Sequence, residues 1–124
     1  MDIIAQKFRR SFVNKLNKAI AFYSVISSFN SLNLTKKQIE LLAYTHIRGT
    51  ISSLSAKQDF VDTFGSSIDS INNMISKLYK KKLLYKVGDT GKIKVAPIFS
   101  KIDFDNPEIV IILTILNKPV SNES

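Results

Sequence analysis

The 124-residue chain predicts a mainly helical α+β domain with one small β-hairpin. Three observations carry this prediction. Apolar residues recur at spacings of three and four through most of the first eighty positions, the period of a helix buried on one face. Ser or Thr followed three residues later by Gln or Asp, and Gly a turn or two further on, punctuate those stretches as helix starts and stops. Only Leu83–Val95 changes to a period of two, around the turn Gly88-Asp89-Thr90-Gly91.

Taken in order, Phe8, Phe12, Leu16, Ala19, Tyr23 and Ile26 define a long first helix, or two with a break near Asn17–Lys18, ending by Phe29. Asn30–Asn33 is a polar break. Thr35 and Gln38 then form a capping box, and Leu34 and Ile39 have the spacing of a hydrophobic staple. That helix runs to about Ile47 and stops by Gly49, with His46 on its apolar face. Thr50–Leu54 is short and β-compatible. Ser55 and Gln58 open another helix, which ends at Gly65. Ser66 and Asp69 repeat the cap spacing, and Ile68, Ile71, Ile75, Leu78 and Tyr79 form the buried stripe of the helix that follows. Leu83–Val87 and Lys92–Val95 are the two hairpin strands, and Pro97 limits the second. Asp105–Glu108 resembles a helix start. Ile109–Leu116 is β-branched and reads as a buried strand, and a polar tail follows from Lys118. The chain thus divides into a helical extension (1–33), a central domain (34–99) and a C-terminal apolar strand with its tail (100–124).

The inventory of residues narrows the chemistry. There is no cysteine and only one histidine, so thiolate sites, a Cys nucleophile, a multi-histidine metal centre and a histidine relay are excluded. No catalytic constellation is apparent, and Gly88–Lys92 has the wrong spacing for a phosphate loop. Residues 109–116 are too few to span a bilayer, and the N-terminal stretch does not read as a secretory signal. A binding module without cofactor, rather than an enzyme, is expected.

Charge points to the partner. The formal net charge is +8, with 18 basic residues against 10 acidic. It is segregated: seven basic and one acidic in 1–37, two and four in 38–76, eight and one in 77–101, one and four in 102–124. The block at 77–101 is a candidate electrostatic footprint. Only Arg9, Arg10 and Arg48 are arginine. Lysine suits phosphate, whereas arginine is the bidentate reader of guanine.

The order from Thr35 onward (helix, short strand, helix, tight turn, helix, strand, glycine turn, strand) resembles a winged helix-turn-helix domain, as in MarR-type regulators and small-plasmid replication proteins. The resemblance covers Leu34 to about Phe99. It implies that Ser66–Lys82 is a recognition helix for the major groove and that Val87–Lys92 is the tip of a wing. MarR-type wings carry an Asp-x-Arg motif, and here Asp89-Thr90-Gly91 stands in that place. The outward face of the implied recognition helix offers Ser66, Ser67, Ser70, Asn72, Asn73 and Lys77, with Lys80, Lys81 and Lys82 at its end and no arginine. Asn pairs with adenine, and the lysines, with Lys86, Lys92 and Lys94 on one hairpin face, exceed what the helix dipole requires. Asp69 is read as a cap and His46 as a core or interface residue. Tyr79 and Tyr85, aromatics within the basic block, could stack on bases, but Tyr79 falls on the buried stripe and is read as core, and Tyr85 is left open between the two.

The expectation is a non-enzymatic protein that binds double-stranded DNA with weak specificity in transcription or replication control, in the cytoplasm at the nucleoid. The alternative is a structural component of a phage particle or other nucleoprotein assembly, with the winged helix serving as a protein–protein module. An RNA-binding role in a ribonucleoprotein is a third. Residues 1–33 and 102–118 carry enough apolar surface to predict a homodimer or larger assembly.

Overall fold

One continuous helix, α1 (Ile3–Phe29), runs through Asn17 and Lys18 without the break that the sequence allows there. The structure is a computed structural model that describes the backbone of residues 3–104 and the side chains of residues 12–104. The expected helix start at 105–108, the strand at 109–116 and the polar tail lie outside the described residues. Leu16, Ala19 and Tyr23 of α1 are buried in one core with Leu41, Leu42 and Tyr44 of the second helix. Phe22 stands edge-on to Tyr23, Phe99 and Phe104, and Phe12 edge-on to Tyr44. Phe12 and Phe22 are thus partly buried against the chain's own core. Phe29 stays 66% exposed.

Helix α2 (Lys36–Arg48) begins as the sequence dictates. The Thr35 hydroxyl accepts from the Gln38 amide at 3.1 Å, and the Gln38 side chain accepts from the Thr35 amide at 2.9 Å. Gly49, at φ +103°, closes it in a conformation that glycine adopts without steric cost. The expected strand at 50–54 does not form. One backbone bond, from the Ile51 amide to the Ile93 carbonyl at 3.1 Å, ties this segment to the hairpin, and the Thr50 hydroxyl donates to the same carbonyl. Ser53 is already committed as the N-cap of α3 (Leu54–Phe64), accepting from the Ala56 amide at 3.0 Å. Too few residues remain for a ladder.

That cap corrects the expected start at Ser55. Ala56 and Phe60, one turn apart on this helix, are buried in the core. Helix α4 (Ile68–Lys80) is likewise capped by Ser67 rather than Ser66, its hydroxyl accepting from the Ser70 amide at 3.1 Å. Asp69 is consequently not the third residue of a capping box. It lies in the first turn, where its charge complements the helix N-terminus. Ile71, Met74, Ile75 and Leu78 are buried; a fully buried side chain of this size stabilises by roughly 1.5–3 kcal/mol. Tyr79, expected on this stripe, is 48% exposed. At 3.6 residues per turn it lies about 90° from the middle of the four buried positions.

Strands β1 (Leu84–Val87) and β2 (Lys92–Val95) form an antiparallel pair joined by a short 3₁₀ turn, Gly88–Thr90, and by Gly91 at φ +69°. Pro97 ends β2 and starts a single helical turn, α5 (Pro97–Ser100), which the sequence did not announce. The chain then returns to α1, where Phe104 is buried and its carbonyl accepts from Lys18 Nζ at 3.1 Å. The architecture is mainly helical with a small two-stranded sheet, and α1 shares the core of the central segment.

Candidate nucleic-acid interface

Of the expected contact residues on α4, Ser67, Ser70, Asn72, Asn73, Lys77 and Lys80 are all exposed and Ser66, before its cap, is half-buried. They occur there because the apolar stripe uses every inward position of the helix. The one acid on this face is Asp69, in the first turn. Asn72 has a partner: Lys57 Nζ of α3 donates to its Oδ1 at 2.9 Å. With that oxygen already accepting, the amide offers a new partner its N–H groups, which disfavours the bidentate adenine contact expected of it. Asn73 lies beside it on the exposed face.

The hairpin corrects the expectation that its three lysines share a face. Val87 pairs with Lys92, Lys86 with Ile93, Tyr85 with Lys94 and Leu84 with Val95. Directly opposed residues project to the same side of a sheet, and successive residues alternate. Lys92 and Lys94 thus lie with Tyr85 and Val87 on one face. Lys86 lies on the other, beyond the buried pair Leu84 and Val95. The four residues 88–91 between the strands set this parity.

Lys86 consequently faces α4. With Ile93 it closes a groove of about 400 Å³ whose other walls are Lys57, Asn72, Ile75, Ser76, Tyr79 and Lys80. A second groove of about 470 Å³ runs along Tyr79, Lys80, Lys82, Leu84, Tyr85, Ala96 and Pro97. Tyr79 and Lys80 border both and form the ridge between them. Lys81 points elsewhere: its Nζ donates to the Leu32 carbonyl at 3.2 Å, in the connection between α1 and α2. That contact separates it from the lysines expected to act with it.

Three further residues border these grooves, and one of them, Lys57, was not singled out in the sequence. Lys57 was hidden because it is the only lysine in an acidic stretch. Tyr79 was assigned to the core by periodicity. Lys82 holds a left-handed backbone, φ +65°, just after α4.

The single histidine lies outside both grooves. His46 is half-buried between Tyr23 and Phe104, with ring centroids 5.8 and 4.8 Å away. No group of three or more metal-ligating side chains occurs among the described residues. No described helix is long and apolar enough to cross a membrane. Compared with protein-family models, with curated proteins and with solved structures, the chain matches none.

Proposed function

We propose that the chain is a non-enzymatic winged helix-turn-helix protein that binds double-stranded DNA in transcription or replication control. In this reading α3 and α4 are the helix-turn-helix, α4 enters the major groove, and β1–β2 is the wing. The observation that carries it is the cationic groove bordering the polar face of α4, where Lys57, Lys80 and Lys86 arrive from three different elements. Helix caps do not require such convergence, and neutralising phosphates rewards it. The Ser and Asn face, without arginine, supports weak discrimination among base pairs. Affinity then comes mainly from phosphate contacts, which position the protein without reading sequence.

A mobility-shift titration of blunt duplex DNA across salt concentration tests this. Binding is expected at low salt, with log K falling by roughly 0.9 per tenfold increase in salt for each phosphate neutralised. About three to four such contacts, from Lys57, Lys80, Lys86 and Lys92, predict a slope of about −3 to −4. Absence of binding at low salt would overturn the reading.

A further inference from the structure

We infer that the groove between α4 and the hairpin is a site for an unpaired nucleotide, with the base against Tyr79 and the phosphate on Lys57, Lys80 and Lys86. The inference rests on the nucleic-acid reading above and goes beyond it, because a paired duplex can set its phosphates on the lysines of this groove but has no unstacked base to place against Tyr79. Tyr79 is half-exposed at the lip, on a ridge with Lys80. An aromatic ring standing among lysines is the arrangement that stacks on a free base, since every base has a π-face and in a duplex both faces are already stacked. Ile75 and Ile93 give the groove an apolar floor, and its volume of about 400 Å³ is that of a small-ligand site.

The polar groups add a preference. With Asn72 Oδ1 held by Lys57 at 2.9 Å, the groove presents the Asn72 amide N–H groups, the Ser76 hydroxyl and three ammonium groups. Such a donor-rich lining suits bases that display carbonyl oxygens, thymine above all, and disfavours adenine, whose exocyclic amine is itself a donor. The proposed natural ligand is a duplex end, fork or flap with an exposed pyrimidine, and a free nucleotide shares the same chemistry.

The test compares a labelled blunt duplex with the same duplex carrying a single-stranded overhang of about six thymidines or six deoxyadenosines, a length within one single-strand site. Wild type and Tyr79→Leu are titrated in parallel, and dTMP is added as competitor. The expected result is a roughly fivefold or greater gain in affinity from the thymidine overhang, a smaller gain from the adenosine one, and loss of the gain in Tyr79→Leu with blunt-duplex binding retained. Competition by dTMP assigns the site to the mononucleotide itself, and a thymidine gain that resists dTMP assigns it to the strand. Equal affinity of wild type for blunt and overhanging duplex overturns this inference while leaving the duplex reading intact. Failure to bind either overturns both. Because Tyr79 is half-exposed, its replacement leaves the core in place, and unchanged thermal melting verifies that.

Discussion

The Tyr23 hydroxyl donates to Nδ1 of His46 at 2.7 Å. The donor is fixed by the other side of the ring, where Nε2 lies 3.0 Å from the Ile102 carbonyl, a group that only accepts. In its neutral form His46 thus carries its proton on Nε2, and it pins α1 and the segment after α5 to α2. Burial lowers its pKa below the ordinary 6.5, partly offset by the bond to Ile102. Burial likewise pushes the Tyr23 phenol far up, so it remains a donor throughout the neutral range.

This arrangement makes stability depend on pH in a stated direction. The unfolded chain binds a proton on His46 more readily than the folded one, so its contribution is full above about pH 6.5 and declines as pH falls toward the folded value. Denaturant unfolding between pH 7.5 and 5 is expected to show a falling midpoint below 6.5, and His46→Gln is expected to abolish that slope. The chain has one histidine, and ordinary carboxylates titrate lower. An unchanged slope in His46→Gln would show that another group is responsible.

The two displaced caps give a paired prediction. Ser67→Ala removes the acceptor for the Ser70 amide and is expected to cost about 1 kcal/mol, whereas Ser66→Ala is expected to stay within about 0.5 kcal/mol. Ser53→Ala and Ser55→Ala form the same contrast at α3, where Ser53 accepts from the Ala56 amide. Equal costs within either pair, by chemical denaturation, would return the helix start to the position read from spacing alone.

Those caps also mark the limit of what the sequence discloses. Around Thr35 one hydroxyl and one Gln are available at the right spacing, and the helix starts there. At the next two starts, serines occur at 52, 53 and 55, and at 66 and 67, and local chemistry does not choose among them. The choice falls to packing, which must bring Ala56 and Phe60, then Ile71 and Leu78, into the core. Strand β2 was legible to the residue because Gly91 and Pro97 bracket it. The groove was not. It depends on which strand residues oppose each other and on how far the hairpin reaches across α4, so Lys57 is not marked by its neighbours in sequence, and Tyr79 is marked by the lysines around it only as one of two readings, the helical period favouring the core.

Lys82 offers a trade between stability and charge. The Leu83 amide donates to the Leu78 carbonyl at 3.0 Å, and Lys82 takes the left-handed conformation between them. Glycine usually occupies this position after a helix, because a side chain there costs roughly 1–2 kcal/mol. Lys82→Gly is expected to stabilise by about 0.5–1 kcal/mol, after the extra freedom glycine gives the unfolded chain, and to weaken DNA binding by losing a cation beside Tyr79. Destabilisation would mean that the aliphatic stem of Lys82 contributes packing beyond the relief of strain.

The hairpin register separates lysines that composition would count alike. Lys86 shares its face with Ile93 and joins Lys57 and Lys80 in the groove, while Lys92 and Lys94 project from the opposite face with Tyr85. On the proposed DNA reading, a single strand of phosphates running along α4 would reach the first set together. The second set contacts DNA only if the hairpin tip itself lies in a groove of the duplex. Replacing Lys57, Lys80 and Lys86 by Gln is expected to flatten the salt dependence by about 2 to 3 in the log–log slope, at roughly 0.9 per phosphate. Replacing Lys92 and Lys94 is expected to change it by about 1, since Lys94 is half-buried and Lys92 is the exposed member. All five side chains leave the hydrophobic core untouched, so a change in slope reports charge rather than unfolding. Equal loss per lysine from the two sets would mean that DNA reads the hairpin as a uniformly positive body and that the groove is incidental to binding.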